Sequence, residues 1–176
     1  MSFSIRAARV EDGPCLQEIE LATHEQFREI GLDEVADDET TDSLEMLAEY
    51  AIGKRSWVAA GDDDVPIGYL LVDVVDGAGH VAQVSVRPTS QGVGVGRALI
   101  DRAKAWAVED GRGALTLTTF SEVPWNRPLY EHLGFRVLDP GDIGPELGAV
   151  QVDEARRGFG PEGRVAMRLE LDSPSC

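Results

Sequence analysis

Residues 84–100 read VSVRPTSQGVGVGRALI, a β-prone segment followed by a glycine-rich loop and then by strong helix formers. Gly92, Gly94 and Gly96 stand at every second position, directly before that helix. Because glycine has no Cβ, such a loop lets backbone N–H groups approach a ligand closely. The first turn of the following helix adds unpaired N–H donors and a partial positive charge, which favour an anion. The stretch therefore predicts either a tight strand-to-helix turn or a phosphate-binding loop.

Two common phosphate-binding motifs do not fit this loop. A dinucleotide-binding fingerprint that starts at Gly92 would need a third glycine at position 97, where the chain has Arg97. A P-loop would need Gly-Lys followed by Ser or Thr, and the sequence lacks this tripeptide. A nucleotide-binding regulatory domain is therefore disfavoured.

The segments around the loop predict a mixed α/β domain. Strand periodicity marks residues 3–8, 56–60, 65–76, 80–86, 114–120, 135–139 and 165–171. Helical spacing of apolar residues marks residues 13–30, 43–52 and 95–109, and a shorter helix is predicted over residues 126–133. The glycine-rich turn at residues 77–79 predicts an antiparallel hairpin. We expect one domain over residues 1–176, with residues 139–163 as a loop insertion before the last strand.

Composition and charge limit the classes of function. The chain has 176 residues, 43% hydrophobic residues and a formal net charge of −16. That charge argues against nucleic acid as a partner, because its phosphates would be repelled. No apolar run approaches membrane-spanning length, and the N-terminal sequence MSFSIRAARVEDG lacks the apolar stretch of a signal peptide. We therefore expect a cytoplasmic protein without a membrane partner, and we predict no metal site.

The glycine-rich stretch resembles motif A of the GNAT superfamily of N-acetyltransferases. The core of that motif is Gln/Arg-x-x-Gly-x-Gly/Ala, after a strand that ends in Val-x-Pro. Gln91, Gly94 and Gly96 fill this pattern, with Val86 and Pro88 at the matching upstream positions.

A second stretch, NRPLYEHLGF at residues 126–135, resembles a later motif of the same family. Asn126 and Tyr130 stand where the family has them, and Leu-Gly-Phe closes the motif. The two motifs are separated by the length of one helix and one strand, as in the family. Together they make the resemblance specific over roughly residues 3–138.

The resemblance implies a GNAT-like fold: a mixed, centrally antiparallel sheet of about seven strands with about four helices, splayed between the fourth and fifth strands. It implies acetyl-CoA as cosubstrate, with its pyrophosphate at residues 91–97 and its pantetheine arm beside the fourth strand. A backbone N–H at Val86 would polarise the thioester carbonyl. Asn126 would bind the cofactor or simply cap its helix. The expected cofactor-binding residues are Val84, Val86, Gln91, Gly92, Val93, Gly94, Val95, Gly96, Arg97 and Asn126.

Acetyl transfer from a thioester to an amine requires two proton movements. Tyr130 matches the family's general acid, which protonates the departing thiolate; the alternative is a tyrosine that only packs against the core. His80 is a candidate general base, since an imidazole with a pKa of about 6.5 accepts protons near neutral pH. The alternative for His80 is a solvated side chain beside a turn. Glu18 and Glu20 in the first helix are weaker candidates for the base.

The acceptor is the part of the reaction that the sequence defines least. An acidic run at residues 33–42 lies where the family usually builds its acceptor site, so it would attract a cationic amine. The alternative is a merely solvated acidic loop. We expect a small-molecule or peptide amine as acceptor, and a homodimer is a possible assembly. The rival function is an acyl-CoA-binding sensor or regulatory domain with little catalysis.

Overall fold

The computed structural model of the chain describes residues 2–31, 33–37, 40–121, 123, 126–157 and 163–172. The strands in the described part are β1 (Ser4–Ala7), β2 (Ser56–Ala60), β3 (Pro66–Val75), β4 (Ala78–Val86), β5 (Ala114–Phe120), β6 (Arg136–Val137) and β7 (Arg164–Glu170). The α-helices there are α1 (Gly13–Glu25), α2 (Asp33–Ala36), α3 (Leu44–Ile52), α4 (Val95–Glu109), α5 (Asn126–His132) and α6 (Pro145–Arg156).

The strands form one mixed sheet with the order β1-β2-β3-β4-β5-β7-β6. The pairs β1–β2, β2–β3, β5–β7 and β6–β7 are antiparallel, whereas β4 and β5 are parallel. The parallel ladder is short, since it pairs Gly79 with Leu115 and His80 with Thr116, at the start of both strands. The predicted fold class, a mixed and centrally antiparallel sheet of about seven strands, is confirmed.

The chain divides into two compact units, each drawn from two stretches of sequence. The first unit contains Met1–Val72 and Ala82–Arg102, and the second contains Asp73–Val81 and Ala103–Cys176. Strands β3 and β4 therefore contribute residues to both units. The prediction of one domain over the whole chain stays a prediction.

The core of the first unit forms where α1 and α3 pack on β2 and β3. Leu16 and Ile19 of α1 are almost completely buried, and each contributes roughly 1.5–3 kcal/mol by leaving water. Ser43 caps α3, because its side-chain oxygen accepts a hydrogen bond of 3.2 Å from the backbone N–H of Met46. The predicted helix over residues 13–30 is present, but its last turn, Gln26–Ile30, is a 3-10 helix.

The second unit begins with the hairpin that joins β3 to β4. Asp76 and Gly77 form its two-residue turn with φ angles of 49° and 75°. Two central residues with positive φ are typical of a type I′ turn, whose twist matches that of the flanking strands. The hairpin is as predicted, but the turn lies at Asp76–Gly77 rather than over residues 77–79. As a result β4 begins at Ala78, two residues earlier than expected.

The prediction of a loop insertion over residues 139–163 is wrong. This segment contains a 3-10 turn, Pro140–Asp142, and the helix α6, which buries Leu147 in a small apolar cluster with Val75, Leu138 and Ala166. The local sequence shows little of this, because Leu147 is the only buried residue of α6. The N-terminus of α6 is instead capped by a residue that is distant in sequence. The Asp76 carboxylate accepts hydrogen bonds from the backbone N–H groups of Glu146 (3.1 Å) and Leu147 (2.9 Å).

Replacing Asp76 by alanine is expected to lower the free energy of unfolding by about 1–2 kcal/mol, because α6 loses its N-terminal cap. Alanine also tolerates the positive φ at this position less well than aspartate does. Urea unfolding measures the effect. Asp76→Asn should have a smaller effect, because asparagine tolerates positive φ and keeps one of the two oxygens that accept these hydrogen bonds. Equal stability of Asp76→Ala and wild type would show that the cap does not stabilise the helix.

None of the helices in the described ranges is both long enough and apolar enough to cross a membrane.

Candidate active site

The glycine-rich loop of the first unit leaves open space above its backbone. Gly92 and Gly94 have φ angles of 78° and 91°, a region that residues with a Cβ rarely adopt. A Cβ built on either glycine would meet no heavy atom within 4 Å. The glycines therefore keep the space in front of the loop clear, which is what an approaching phosphate group requires.

Backbone N–H groups at the start of α4 follow this loop directly. The hydrogen bond from the Ala98 N–H to the Gly94 carbonyl (3.0 Å) closes the first turn of α4. The preceding N–H groups, those of Val95, Gly96 and Arg97, come before that first bond and have no partner within the helix. Val95 is buried at 1% exposure and anchors the start of the helix, whereas Val93 is 53% exposed. The loop thus combines a fixed base, free donors and the positive end of a 15-residue helix.

Gln91 fixes the entry to the loop through its side-chain amide. Its Nε2 donates to the Val86 carbonyl (3.1 Å) and to Oε1 of Gln26 (2.9 Å), and Gln26 Nε2 donates back to Gln91 Oε1 (3.1 Å). The motif glutamine therefore binds the end of β4 and the 3-10 turn that follows α1. These hydrogen bonds hold the start of the loop in place and occupy the Gln91 amide.

The other predicted cofactor-binding residues of the first unit lie on β4 and α4. Val84 and Val86 are half-buried on β4. A Cβ at Gly96 would lie 3.8 Å from Cγ2 of Val86, so the start of α4 packs close to the end of β4. Arg97 is exposed and lies 3.9 Å from the Asp101 carboxylate. The structure thus brings the loop and the end of β4 together.

Gly68 of β3 supports this arrangement, and the sequence analysis missed it. A Cβ at Gly68 would meet the Ser85 carbonyl oxygen at 3.0 Å, Val95 Cγ1 at 3.1 Å and Leu99 Cδ1 at 3.3 Å. The absence of a side chain on β3 therefore lets α4 pack closely on the sheet. An isolated glycine within a β-prone run was the available sign of such a close approach.

Tyr130 lies in the second unit on α5, where it is half-buried. Its ring packs edge to face on Phe135, with the centroids 6.0 Å apart and an interplanar angle of 73°. Burial raises the pKa of Tyr130 to about 12, although the positive charge of Arg164 acts in the opposite direction. The phenol is therefore protonated at neutral pH and is able to donate a hydrogen bond.

Asn126 is the first residue of α5 and is half-buried. Its backbone N–H donates to the Val123 carbonyl at 3.2 Å. Its predicted roles, as a cap or as a cofactor ligand, stay predictions.

His80 is buried on β4, and its predicted role as general base stays a prediction. It is 4% exposed, so the expectation of a solvated side chain is wrong. Its Nδ1 lies 2.9 Å from the hydroxyl of Thr116, the residue with which it pairs across β4 and β5. Burial lowers the pKa of His80 to about 4, although the charge of Asp73 opposes the shift. The imidazole is therefore neutral at physiological pH and a weak proton acceptor.

The acidic run at residues 33–42 is partly neutralised within the first unit. Arg28 lies 2.6 Å from the Asp37 carboxylate and 3.6 Å from that of Asp33. Two further acids of the run, Asp38 and Glu39, lie outside the described residues. The steering role proposed for the run stays a prediction.

A buried polar pair in the first unit is a further candidate that the sequence analysis underrated. Glu20 of α1 and Tyr69 of β3 are 8% and 0% exposed, and the tyrosine hydroxyl lies 3.5 Å from the Glu20 carboxylate. Glu20 follows Leu16 by four residues, so it lies on the apolar face of its helix. A charged residue on that face was the available sign, whereas Tyr69 is indistinguishable from a core residue within the apolar β3 run.

Comparison with known proteins agrees with this geometry. A family model described as the acetyltransferase (GNAT) family matches residues 16–135. The peptidyl-lysine N-acetyltransferase YjaB of Escherichia coli (strain K12) is 26% identical over 147 residues, which cover 81% of this chain and 88% of the relative. An IAA acetyltransferase of Azospirillum brasilense is 31% identical over 106 residues, which cover 58% of this chain and 65% of the relative.

Solved structures share the fold. The PaiA N-acetyltransferase of Thermoplasma acidophilum, crystallised in complex with coenzyme A, superposes with a TM-score of 0.71 at 15% sequence identity. The match covers 97% of this chain and 100% of that structure. At this identity the similarity establishes the architecture alone.

Proposed function

Because this chain belongs to the acetyltransferase (GNAT) family, we propose that it moves the acetyl group of acetyl-CoA to a primary amine by direct attack. Membership of the family confirms the predicted enzyme class, an acetyltransferase with acetyl-CoA as cosubstrate. The amine acceptor and the direct attack are our proposals. The observation that supports the binding of acetyl-CoA is the open glycine loop before α4, with Gly92 and Gly94 at positive φ.

We assign the diphosphate of acetyl-CoA to this loop. The N–H groups at the start of α4 would donate to the phosphate oxygens, and the helix dipole favours negative charge there. These donors belong to the backbone, which explains how a chain with a net charge of −16 can accommodate a polyanion. Val84 and Val86 would hold the pantetheine arm through backbone groups of β4. Asn126 is proposed as a further contact to the cosubstrate.

Acetyl-CoA supplies an activated acetyl group in the form of a thioester. The chain's own residues bind acetyl-CoA and polarise its carbonyl. They also take a proton from the amine and donate one toward the leaving sulfur. The Val86 N–H is proposed to stabilise the negative charge that develops on the carbonyl oxygen. Tyr130 is proposed to donate its hydroxyl proton toward the departing sulfur, because its raised pKa keeps the phenol protonated.

We propose that His80 positions β5 relative to β4 and is not the general base. Its Nδ1 is engaged with Thr116, and the side chain is buried. Burial also lowers the pKa of His80 to about 4, so the buried imidazole holds a proton far less well than a free imidazole does.

The experiment that tests the function is a thiol-release assay with acetyl-CoA and a panel of amines. The panel should span polyamines, aminoglycosides, amino acids and lysine-containing or N-terminal peptides, and mass spectrometry should identify the acetylated product. We expect amine-dependent thiol release with a matching acetylated amine. Tight binding of acetyl-CoA without turnover of any amine would instead favour the rival function, an acyl-CoA sensor.

The acceptor is proposed to carry at least one positive charge beyond the reacting amine, attracted by the acidic run. The combined variant Asp37→Asn, Asp38→Asn, Glu39→Gln is expected to lower kcat/KM for such an acceptor severalfold at low salt. The effect should fade as salt rises, because the Debye length shrinks from about 10 Å at 0.1 M to about 3 Å at 1 M. Steady-state kinetics at saturating acetyl-CoA measure it without interference from the phosphates of the cosubstrate.

The matched control neutralises three exposed acids elsewhere in the first unit: Glu11→Gln, Asp62→Asn, Asp63→Asn. It makes the same change in net charge, so it isolates local steering from the global field. If both triple variants leave kcat/KM unchanged at low salt, the acidic run is only a solvated loop. If both lower it equally, global charge is responsible.

A further inference from the structure

A buried carboxylate in the first unit accepts hydrogen bonds from two neutral donors. Oε2 of Glu20 accepts hydrogen bonds from the backbone N–H of Asp42 (3.1 Å) and from the hydroxyl of Tyr69 (3.5 Å). Both of these hydrogen bonds reach Oε2, and neither reaches Oε1. The positive charge that acts on this carboxylate from α1 is that of His24.

Polar side chains of β4 continue the cluster next to Tyr69. Ser85 is 6% exposed, and its hydroxyl accepts a hydrogen bond of 2.9 Å from Nε2 of Gln83. Both side chains act on the Tyr69 hydroxyl by lowering its pKa, against the larger raising effect of burial. These residues alternate along β4 with Val84 and Val86, the strand positions assigned to the cosubstrate. The cluster and the cosubstrate site thus share one short stretch of β4.

The electrostatics of the cluster favour an incoming cation. Burial, and secondarily the negative charge of Asp42, raise the pKa of Glu20, while the Asp42 N–H, His24 and Tyr69 act in the opposite direction. Burying an ionised carboxylate is costly unless it is paired with a cation, and His24 supplies part of that pairing. A bound ammonium group would lower the cost further, because it supplies a full positive charge and a donor for Oε1.

We propose that Glu20, with Tyr69 beside it, receives the primary ammonium group of the acceptor and takes its proton. This inference rests on the proposed function and names the base that the function requires. In the step, one N–H bond of the ammonium breaks and its proton passes to Glu20. The neutral amine nitrogen then bonds to the acetyl carbon while the C–S bond breaks, and the nitrogen loses its second proton to solvent as the amide forms. The sulfur leaves with the electron pair of the C–S bond, receives a hydrogen bond from Tyr130 and takes a proton from solvent, and Glu20 later releases its proton to water.

The test compares Glu20→Gln with wild type, using the best amine of the panel at saturating acetyl-CoA. Glutamine has nearly the shape of glutamate and keeps an oxygen for the Asp42 N–H and the Tyr69 hydroxyl. We expect kcat/KM for the amine to fall by roughly 10²–10³ while the Kd for acetyl-CoA changes by less than about twofold. Glu45→Gln is the matched control, because it makes the same change at an exposed glutamate on α3.

The pH dependence separates a base from a residue that only shapes the site. As pH falls through the raised pKa of Glu20, the carboxyl becomes protonated and cannot accept the proton, so wild-type kcat/KM should show an acid limb. Glu20→Gln should lack that limb. The other titratable groups that face Glu20 are His24 on α1, Asp42 before α3 and Tyr69 on β3. A limb that persists in Glu20→Gln belongs to one of these groups and overturns the assignment.

A kcat/KM within about fivefold of wild type in folded Glu20→Gln also overturns the inference. If Glu20→Gln fails to fold, Tyr69→Phe tests the proposed site instead, because it removes only the hydroxyl beside the Glu20 carboxylate. We then expect KM for the amine to rise severalfold with an unchanged Kd for acetyl-CoA, and an unchanged KM refutes the site. A wild-type protein that acetylates no amine refutes the proposed function instead, so the two failures are distinguishable.

Discussion

Replacing Tyr130 by phenylalanine is expected to lower kcat by roughly 10²–10⁴ while the Kd for acetyl-CoA stays within about twofold. The substitution removes only the hydroxyl and keeps the ring that packs on Phe135 at 6.0 Å. The phenol pKa of about 12 exceeds the thiol pKa of about 8.5, so complete proton transfer to the thiolate is uphill. We therefore expect the hydroxyl to act mainly as a hydrogen-bond donor as charge develops on sulfur.

The matched control is Tyr50→Phe, which removes the hydroxyl of another half-buried tyrosine, on α3. It should leave kcat unchanged. A near-wild-type rate in Tyr130→Phe, with chemistry shown to be rate-limiting, refutes the role of general acid. An equal loss of acetyl-CoA affinity would show a packing role. When kcat of the wild type is measured against pH, ionisation of Tyr130 should not lower it until the pH approaches the Tyr130 pKa of about 12.

The elements that the sequence predicts well are those whose own residues form the core. Leu16 and Ile19 recur with helical spacing because that face of α1 is buried, and the β2 sequence SWVAA is buried at every position. Periodicity records this burial directly. The boundaries shift by a few residues, as at the Asp76–Gly77 turn, because turn geometry and not apolar pattern sets them.

Helix α6 could not be predicted in the same way, because its stabilising contacts come from far along the chain. Asp76 caps its first turn from 70 and 71 residues away. Gly144 precedes the helix, where any Cβ would clash with that carboxylate. A prediction from local sequence sees neither contact, and the single buried residue, Leu147, is too weak a pattern to indicate a helix.

In the candidate site too, features set by local sequence were predictable and features set by distant contacts were not. The glycine loop was predictable, because the positive φ angles of Gly92 and Gly94 are a local requirement that only glycine meets easily. The environment of His80 could not be predicted in this way, because its partner Thr116 is 36 residues away along the chain. The same holds for Glu20 and Tyr69, which are separated by 49 residues. Roles that depend on burial and on distant partners require the structure.

Replacing Gly94 by valine is expected to weaken the binding of acetyl-CoA at least about 100-fold, from the micromolar Kd expected of wild type, a loss of about 2.7 kcal/mol. The side chain would project into the space that is now clear to 4 Å, directly before the N–H groups of α4. It would thus exclude the diphosphate without displacing any existing group. Calorimetric titration with acetyl-CoA measures the effect.

The substitution also strains the backbone, because valine at a φ of 91° costs on the order of 1–3 kcal/mol of stability. Gly111→Val is the matched control, since Gly111 has a φ of 72° and equally open surroundings but lies in the turn after α4. It should lower Tm by a similar amount and leave the Kd unchanged. If Gly94→Val is folded and keeps the wild-type Kd, the loop is not the diphosphate site. If both variants lose affinity equally, the loss reflects instability, and only a loss confined to Gly94→Val identifies the loop as the place where the cosubstrate binds.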